Sequence, residues 1–140
     1  MLKYISIFII TILLTSCQTR TVQVIEDVYQ DGSPKSIIDY EVSFGDSIPQ
    51  HRIDFHIDGS RRMEGNFVNG KRDGEWLSWH PNGGGIWSKG YFKNGERTGK
   101  SWIYHANGKL YMKGAYENGK KVGLWLVFDE DGNVVGQDEF

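Results

Sequence analysis

Proline is scarce in this sequence and cysteine scarcer, with three and one among 140 residues. The lone Cys17 excludes an intramolecular disulfide. A large excess of one sign of charge is also missing: the formal net charge is −2, and loss of a leader carrying Lys3 takes it to −3. That balance is too small, and of the wrong sign, for nucleic-acid binding. No apolar run longer than Tyr4 to Leu14 occurs. Eleven residues of helix rise about 16 Å, too short for a hydrocarbon core of roughly 30 Å. Motifs of the forms G-x-S-x-G, P-loop and H-E-x-x-H are absent, which removes the common hydrolase, nucleotide and zinc-protease readings.

What is abundant is glycine, 18 residues, and aromatic side chains, 14%. Glycine supplies positive φ for turns, and aromatics suit a pleated, half-buried surface. With 39% hydrophobic and 24% charged residues the chain is globular in composition and long enough for one modest domain.

The first residues read as an address. Met1-Leu2-Lys3 is a short positive start, and the apolar run after it is a signal-peptide core. Leu14-Thr15-Ser16-Cys17 then resembles the lipobox of bacterial lipoproteins, with small residues before the cysteine. The resemblance implies a helical signal peptide over 1–16, cleavage before Cys17, acylation of that residue, and a lipidated tether over 17–25. Several acyl chains make such anchoring stable. Gln18 follows with no acidic run behind it. By lipoprotein sorting rules this favours the outer membrane, facing the periplasm.

The remainder repeats itself. Gly65-Asn66-Phe67-Val68-Asn69-Gly70-Lys71-Arg72-Asp73-Gly74 is echoed by Gly90-Tyr91-Phe92-Lys93-Asn94-Gly95-Glu96-Arg97-Thr98-Gly99. Gly114-Ala115-Tyr116-Glu117-Asn118-Gly119-Lys120-Lys121-Val122-Gly123 echoes it again. A second motif keeps the period: Trp79-His80-Pro81-Asn82-Gly83, Tyr104-His105-Ala106-Asn107-Gly108 and Phe128-Asp129-Glu130-Asp131-Gly132. Phe55-His56-Ile57-Asp58-Gly59 fits it, and Val28-Tyr29-Gln30-Asp31-Gly32 fits loosely. The units fall near 26–54, 55–74, 75–99, 100–123 and 124–140, within one repeat domain over 26–140.

Asn-Gly and Asp-Gly between alternating runs signal β-hairpins. One turn of each unit is short. The other reads as a six-residue connection, opened by Asn69-Gly70, Asn94-Gly95 or Asn118-Gly119 and closed by Gly74, Gly99 or Gly123. Asn82-Gly83 and Asn107-Gly108 mark the remaining turns. Strands are expected near 22–29, 35–44, 51–56, 61–68, 75–80, 86–93, 100–105, 110–117, 124–129 and 133–137. The fold class is all-β: an antiparallel meander of repeated hairpins in an elongated, twisted single-layer sheet.

The pattern G-x-[FY]-x-N-G-x-x-x-G, followed by an aromatic strand and N-G, resembles the MORN repeat in its bacterial variant form, well over 55–136 and poorly over 26–54. The resemblance is specific for fold and weak for function. It implies an antitoxin-like character, the description commonly attached to bacterial members.

Alternation sorts each unit into two faces. One is expected to pack, with Leu77, Trp79, Trp102, Tyr104, Leu126 and Phe128 joining Met63, Phe67, Phe92, Met112 and Tyr116 around Gly65, Gly90 and Gly114. The missing side chains there leave room for a ring to lie over the backbone. The other face carries Trp76, Trp87, Tyr91, Tyr111 and Trp125, a candidate aromatic binding face edged by lysine. Either it stays exposed for a partner, or cross-strand stacking covers it.

His56, His80 and His105 fall at equivalent repeat positions, two strands apart, about 9–10 Å. That is too far for them to share one zinc, so they read as polar strand-end residues. No metal site, catalytic residue or cofactor is expected. The functional expectation is a non-enzymatic lipoprotein, on the membrane through acylated Cys17, offering a protein partner a scaffold surface. An antitoxin or immunity role is the specific form of that idea. The alternative is a lipid- or glycan-contacting envelope protein that uses an exposed aromatic face.

Overall fold

The computed structural model describes residues 19–140. The segment expected to be a leader, and Cys17, where acylation is expected, lie outside the described residues. Ten strands follow one another: β1 Arg20–Val28, β2 Pro34–Ser43, β3 Asp46–Phe55, β4 Arg61–Val68, β5 Lys71–Trp79, β6 Ile86–Lys93, β7 Glu96–Tyr104, β8 Leu110–Glu117, β9 Lys120–Phe128 and β10 Val134–Glu139. They form one open sheet in sequence order, every neighbour antiparallel. The all-β meander read from the repeat is therefore the observed fold.

Two turn types alternate along the two edges. On one edge Asn69-Gly70, Asn94-Gly95 and Asn118-Gly119 hold both residues at positive φ. Their flanking residues pair directly, Val68 with Lys71, Lys93 with Glu96 and Glu117 with Lys120. These are two-residue hairpin turns whose twist matches the strands they join. The six-residue connection expected there is corrected by this geometry. β5, β7 and β9 begin four residues earlier than expected, and Gly74, Gly99 and Gly123 lie inside strands. β3 likewise begins at Asp46, after a tight Phe44-Gly45 turn.

Those three in-strand glycines keep positive φ, 75°, 65° and 61°, where each ladder slips: β4 pairs Gly65 with Trp76 and then Asn66 with Asp73. The slips bulge β5, β7 and β9 opposite Gly65, Gly90 and Gly114. On the opposite edge, five turns at 29–33, 56–60, 80–85, 105–109 and 129–133 close through backbone bonds such as His105 N–H to Lys109 O, 2.8 Å. A single layer buries little: among the described residues only Ile38, Trp76 and Trp125 are buried apolar side chains, with Ser36, Asp54, Ser78 and Ser101 as buried polar ones.

Candidate functional site

Because the bulges set the phase of each strand, they decide which residues share a face. The register aligns Met63 with Ser78 and Ser88, and Ile103 with Met112 and Val127, in one row. Leu77, Lys89, Trp102, Lys113 and Leu126 form a row on the opposite face. Leu77, Trp102 and Leu126 thus face away from Gly65, Gly90 and Gly114, contrary to the sequence-based assignment. Trp76 and Trp125 take their place.

The candidate aromatic face is corrected accordingly. Trp76 is 4% and Trp125 3% exposed, because each indole lies on a glycine of the preceding strand. A Cβ on Gly65 would overlap Trp76, and one on Gly114 would overlap Trp125. Edge-on rings complete the plugs: Phe67 and Phe92 meet Trp76 at 5.5 and 5.9 Å, and Tyr116 meets Trp125 at 5.1 Å. Cations cap them, with the Arg72 guanidinium 4.2 Å from the Trp76 ring and the Lys121 ammonium 4.5 Å from Trp125. Burial holds the Arg72 pKa below its ordinary value. These two tryptophans are core.

The other three residues of that set are separated. Tyr91 lies on the face opposite the glycines, 6.3 Å from Trp102, and its hydroxyl donates to Glu75 at 3.0 Å. Lys89 forms an ion pair with Glu75. This pairing pulls the Glu75 carboxyl below its usual range and raises the Lys89 ammonium. Trp87 and Tyr111 are bulge residues, skipped where Trp79 pairs with Ile86 and Tyr104 with Leu110. Each meets the preceding histidine at a steep angle, Trp87 against His80 at 6.4 Å and Tyr111 against His105 at 5.0 Å. Trp87 remains 51% exposed.

Trp87 borders a concavity of about 220 Å³ on the glycine-bearing face, shared with Arg62, Ser78, Ser88, Arg97 and Ser101. Its origin lies in one departure from the repeat. Ser101 stands where Trp76 and Trp125 stand in the units on either side, so the third plug is missing. Gly90 beneath it is correspondingly roomy: a Cβ there would find Arg97 Nη1 and Ser101 Oγ nearest, at 3.8 and 3.9 Å. The hydroxyls of Ser78 and Ser88 bond to one another at 2.5 Å, and an aromatic, two arginines and three serines line the hollow together with the apolar Met63 and Ile103.

The repeated histidines serve the scaffold. His56 Nε2 bonds the Trp79 carbonyl at 3.1 Å, His80 that of Tyr104 at 3.3 Å, and His105 that of Phe128 at 3.0 Å. Tyr29, at the loosely fitting N-terminal position, does the same with its hydroxyl, donating to Phe55 O at 2.8 Å. One ladder therefore ties each of the first four of these turns to the next unit.

Two features escaped sequence reasoning. Asp54, 1% exposed, is clamped by Arg52 Nε at 2.8 Å and Arg62 Nη2 at 2.9 Å. Phe44 occupies the first position of a two-residue turn with φ of 50° and is 89% exposed. The departure from Asn-Gly at that position was its visible signal.

The fold and its faces define a class, a one-layer array of β-hairpin repeats. Within it, residues 72–94, 97–118 and 121–140 each match the family model described as MORN repeat variant, so the chain carries three such repeats. No curated protein matches the sequence. Among solved structures, a chain in a crystal structure of the GtfA/B complex bound to UDP and GlcNAc aligns with 86% of this chain at 10% identity. The alignment covers 24% of that chain, about a quarter of its length, with a TM-score of 0.34.

Proposed function

We propose that the chain is a non-enzymatic interaction module of the bacterial cell envelope, tethered by an acylated Cys17 to the periplasmic side of the outer membrane. The lipobox-like Leu14-Thr15-Ser16-Cys17 supports the tether. The observation that carries the interaction reading is the half-exposed Trp87 beside the hollow left by Ser101. A rigid aromatic flanked by arginine is the composition that concentrates binding energy in protein interfaces. An antitoxin or immunity role is the form of this reading that the repeat family suggests. A continuous lipid- or glycan-stacking stripe has less support, because two of its five aromatics are buried and Tyr91 points to the other face.

In-cell crosslinking followed by mass spectrometry tests the proposal. The wild-type protein is expected in the membrane fraction with one specific protein adduct. Cys17→Ala should leave the membrane. Trp87→Ala should stay there, fold normally by circular dichroism, and lose the adduct. An undiminished adduct in Trp87→Ala overturns the reading. For the immunity form, a lone gene with no toxin gene beside it counts against it.

A further inference from the structure

The face opposite the glycines carries a second departure from the repeat. In the 75–99 unit the row is closed by side chains of the sheet itself: Glu75 accepts from Lys89 and from the Tyr91 hydroxyl, and the Tyr91 ring packs on Trp102. One unit further along, two of the three equivalent positions read differently. Lys100 stands for Glu75, Lys113 for Lys89, and Ala115 for Tyr91.

The result is a groove of about 470 Å³. Ala115, Val122 and the backbone of Gly114 and Gly123 line its base, with Trp102 and Leu124 as apolar walls and Lys100 and Lys113 beside them. Leu124 is half exposed. The Lys113 ammonium lies over the Phe128 ring at 5.4 Å, but neither lysine has a carboxylate partner among the described residues. Glu117 faces Lys120 across the tight turn, and Glu139 stands beyond Leu124 on β10.

We infer that this groove is a docking site for an acidic, aromatic segment of a partner protein. The neighbouring unit displays the occupant's chemistry: a phenol ring on the apolar wall and a carboxylate against lysine. Where the sheet fills its own place in one unit, it leaves that place open in the next and changes its edge from a balanced acid and lysine to two lysines. Two unpaired ammonium groups beside a tryptophan favour a carboxylate and select against a basic segment. The docking site lies on the face opposite the Trp87 hollow, so it stands or falls separately from that surface.

The test uses the full-length protein in detergent micelles at low salt and a dye-labelled synthetic peptide that alternates glutamate with tyrosine, read by fluorescence anisotropy. A peptide alternating lysine with tyrosine is the control. The double variant Lys100→Glu/Ala115→Tyr restores the residues of the closed unit and should melt at or above the wild-type temperature. It should bind the acidic peptide about tenfold or more weakly, the equivalent of losing one aromatic contact and one ion pair. Lys113→Gln, a milder change at an exposed position, should weaken binding in the same direction, and Trp87→Ala should leave it unchanged. Equal binding of the two peptides overturns the proposal. So does undiminished binding by Lys113→Gln, which decides the matter even where the double variant fails to fold.

Discussion

The Trp76 indole rests directly on Gly65, so closely that any Cβ there would overlap its ring atoms. Trp125 repeats the relationship on Gly114, whereas Gly90 has no ring above it. Gly65→Ala and Gly114→Ala should therefore each destabilise the fold by roughly 2–4 kcal/mol, since the indole must lift from its seat. Gly90→Ala should be neutral or stabilising by about 0.5 kcal/mol, through loss of unfolded-state freedom. Urea unfolding of the three variants checks this, and equal losses at all three sites would refute the ring-on-glycine account.

The missing plug makes a complementary prediction. Ser101→Trp should fill the hollow over Gly90 and raise stability by about 1–2 kcal/mol, from the apolar area it buries. On the proposed function the same change removes the crosslinked adduct, because the concavity beside Trp87 closes. A gain in melting temperature together with an intact adduct would separate the hollow from partner binding.

Phe44 holds a left-handed φ of 50° that the asparagines of the other tight turns also adopt. A bulky side chain carries a cost of about 1–2 kcal/mol in that region. Phe44→Asn should accordingly stabilise the protein by about 1 kcal/mol and raise its melting temperature by about 4 °C. A lower melting temperature would mean that Phe44 makes a contact the turn geometry does not reveal.

The ladder from Tyr29 through His105 predicts similar losses for chemically different residues. Tyr29→Phe and His105→Ala each strip one bond from the carbonyl of a strand end, Phe55 or Phe128. Each should cost about 1 kcal/mol, the net worth of such a bond. Amide exchange should accelerate at the adjoining turn alone, and a global change would argue against a local tie.

Acid should unfold the array through carboxylates of its turns and of β5. Asp58 is held below 3.8 chiefly by the Ser60 hydroxyl, Asp73 by the Asn94 N–H, and Asp129 by the Asn133 side chain. Glu75 is held below 4.5 chiefly by Lys89. A folded pKa below the unfolded one means the charged form is favoured in the folded state. The stabilisation is thus present above those unfolded values and is lost as pH falls through the folded ones. Melting temperature should stay level from neutrality down to about pH 5 and drop below about pH 4. Asp129→Asn should flatten part of that drop.

Much of this molecule was legible in its sequence because the signals are local. Asn69-Gly70, Asn94-Gly95 and Asn118-Gly119 mark positive-φ turns wherever they occur, and the recurrence of a 24- to 25-residue unit is visible without coordinates. Together they determine ten strands in a meander. Which face Trp76 and Trp125 occupy was not legible. Alternation has a period of two, so one misplaced residue transfers a whole strand to the other side. The bulges at Gly74, Gly99 and Gly123 supply that displacement, and a bulge belongs to the pairing of two strands, not to either alone. The tertiary structure therefore decided that these tryptophans seal glycines, and that the openings lie where Ser101 and Ala115 replace the ring their neighbours carry.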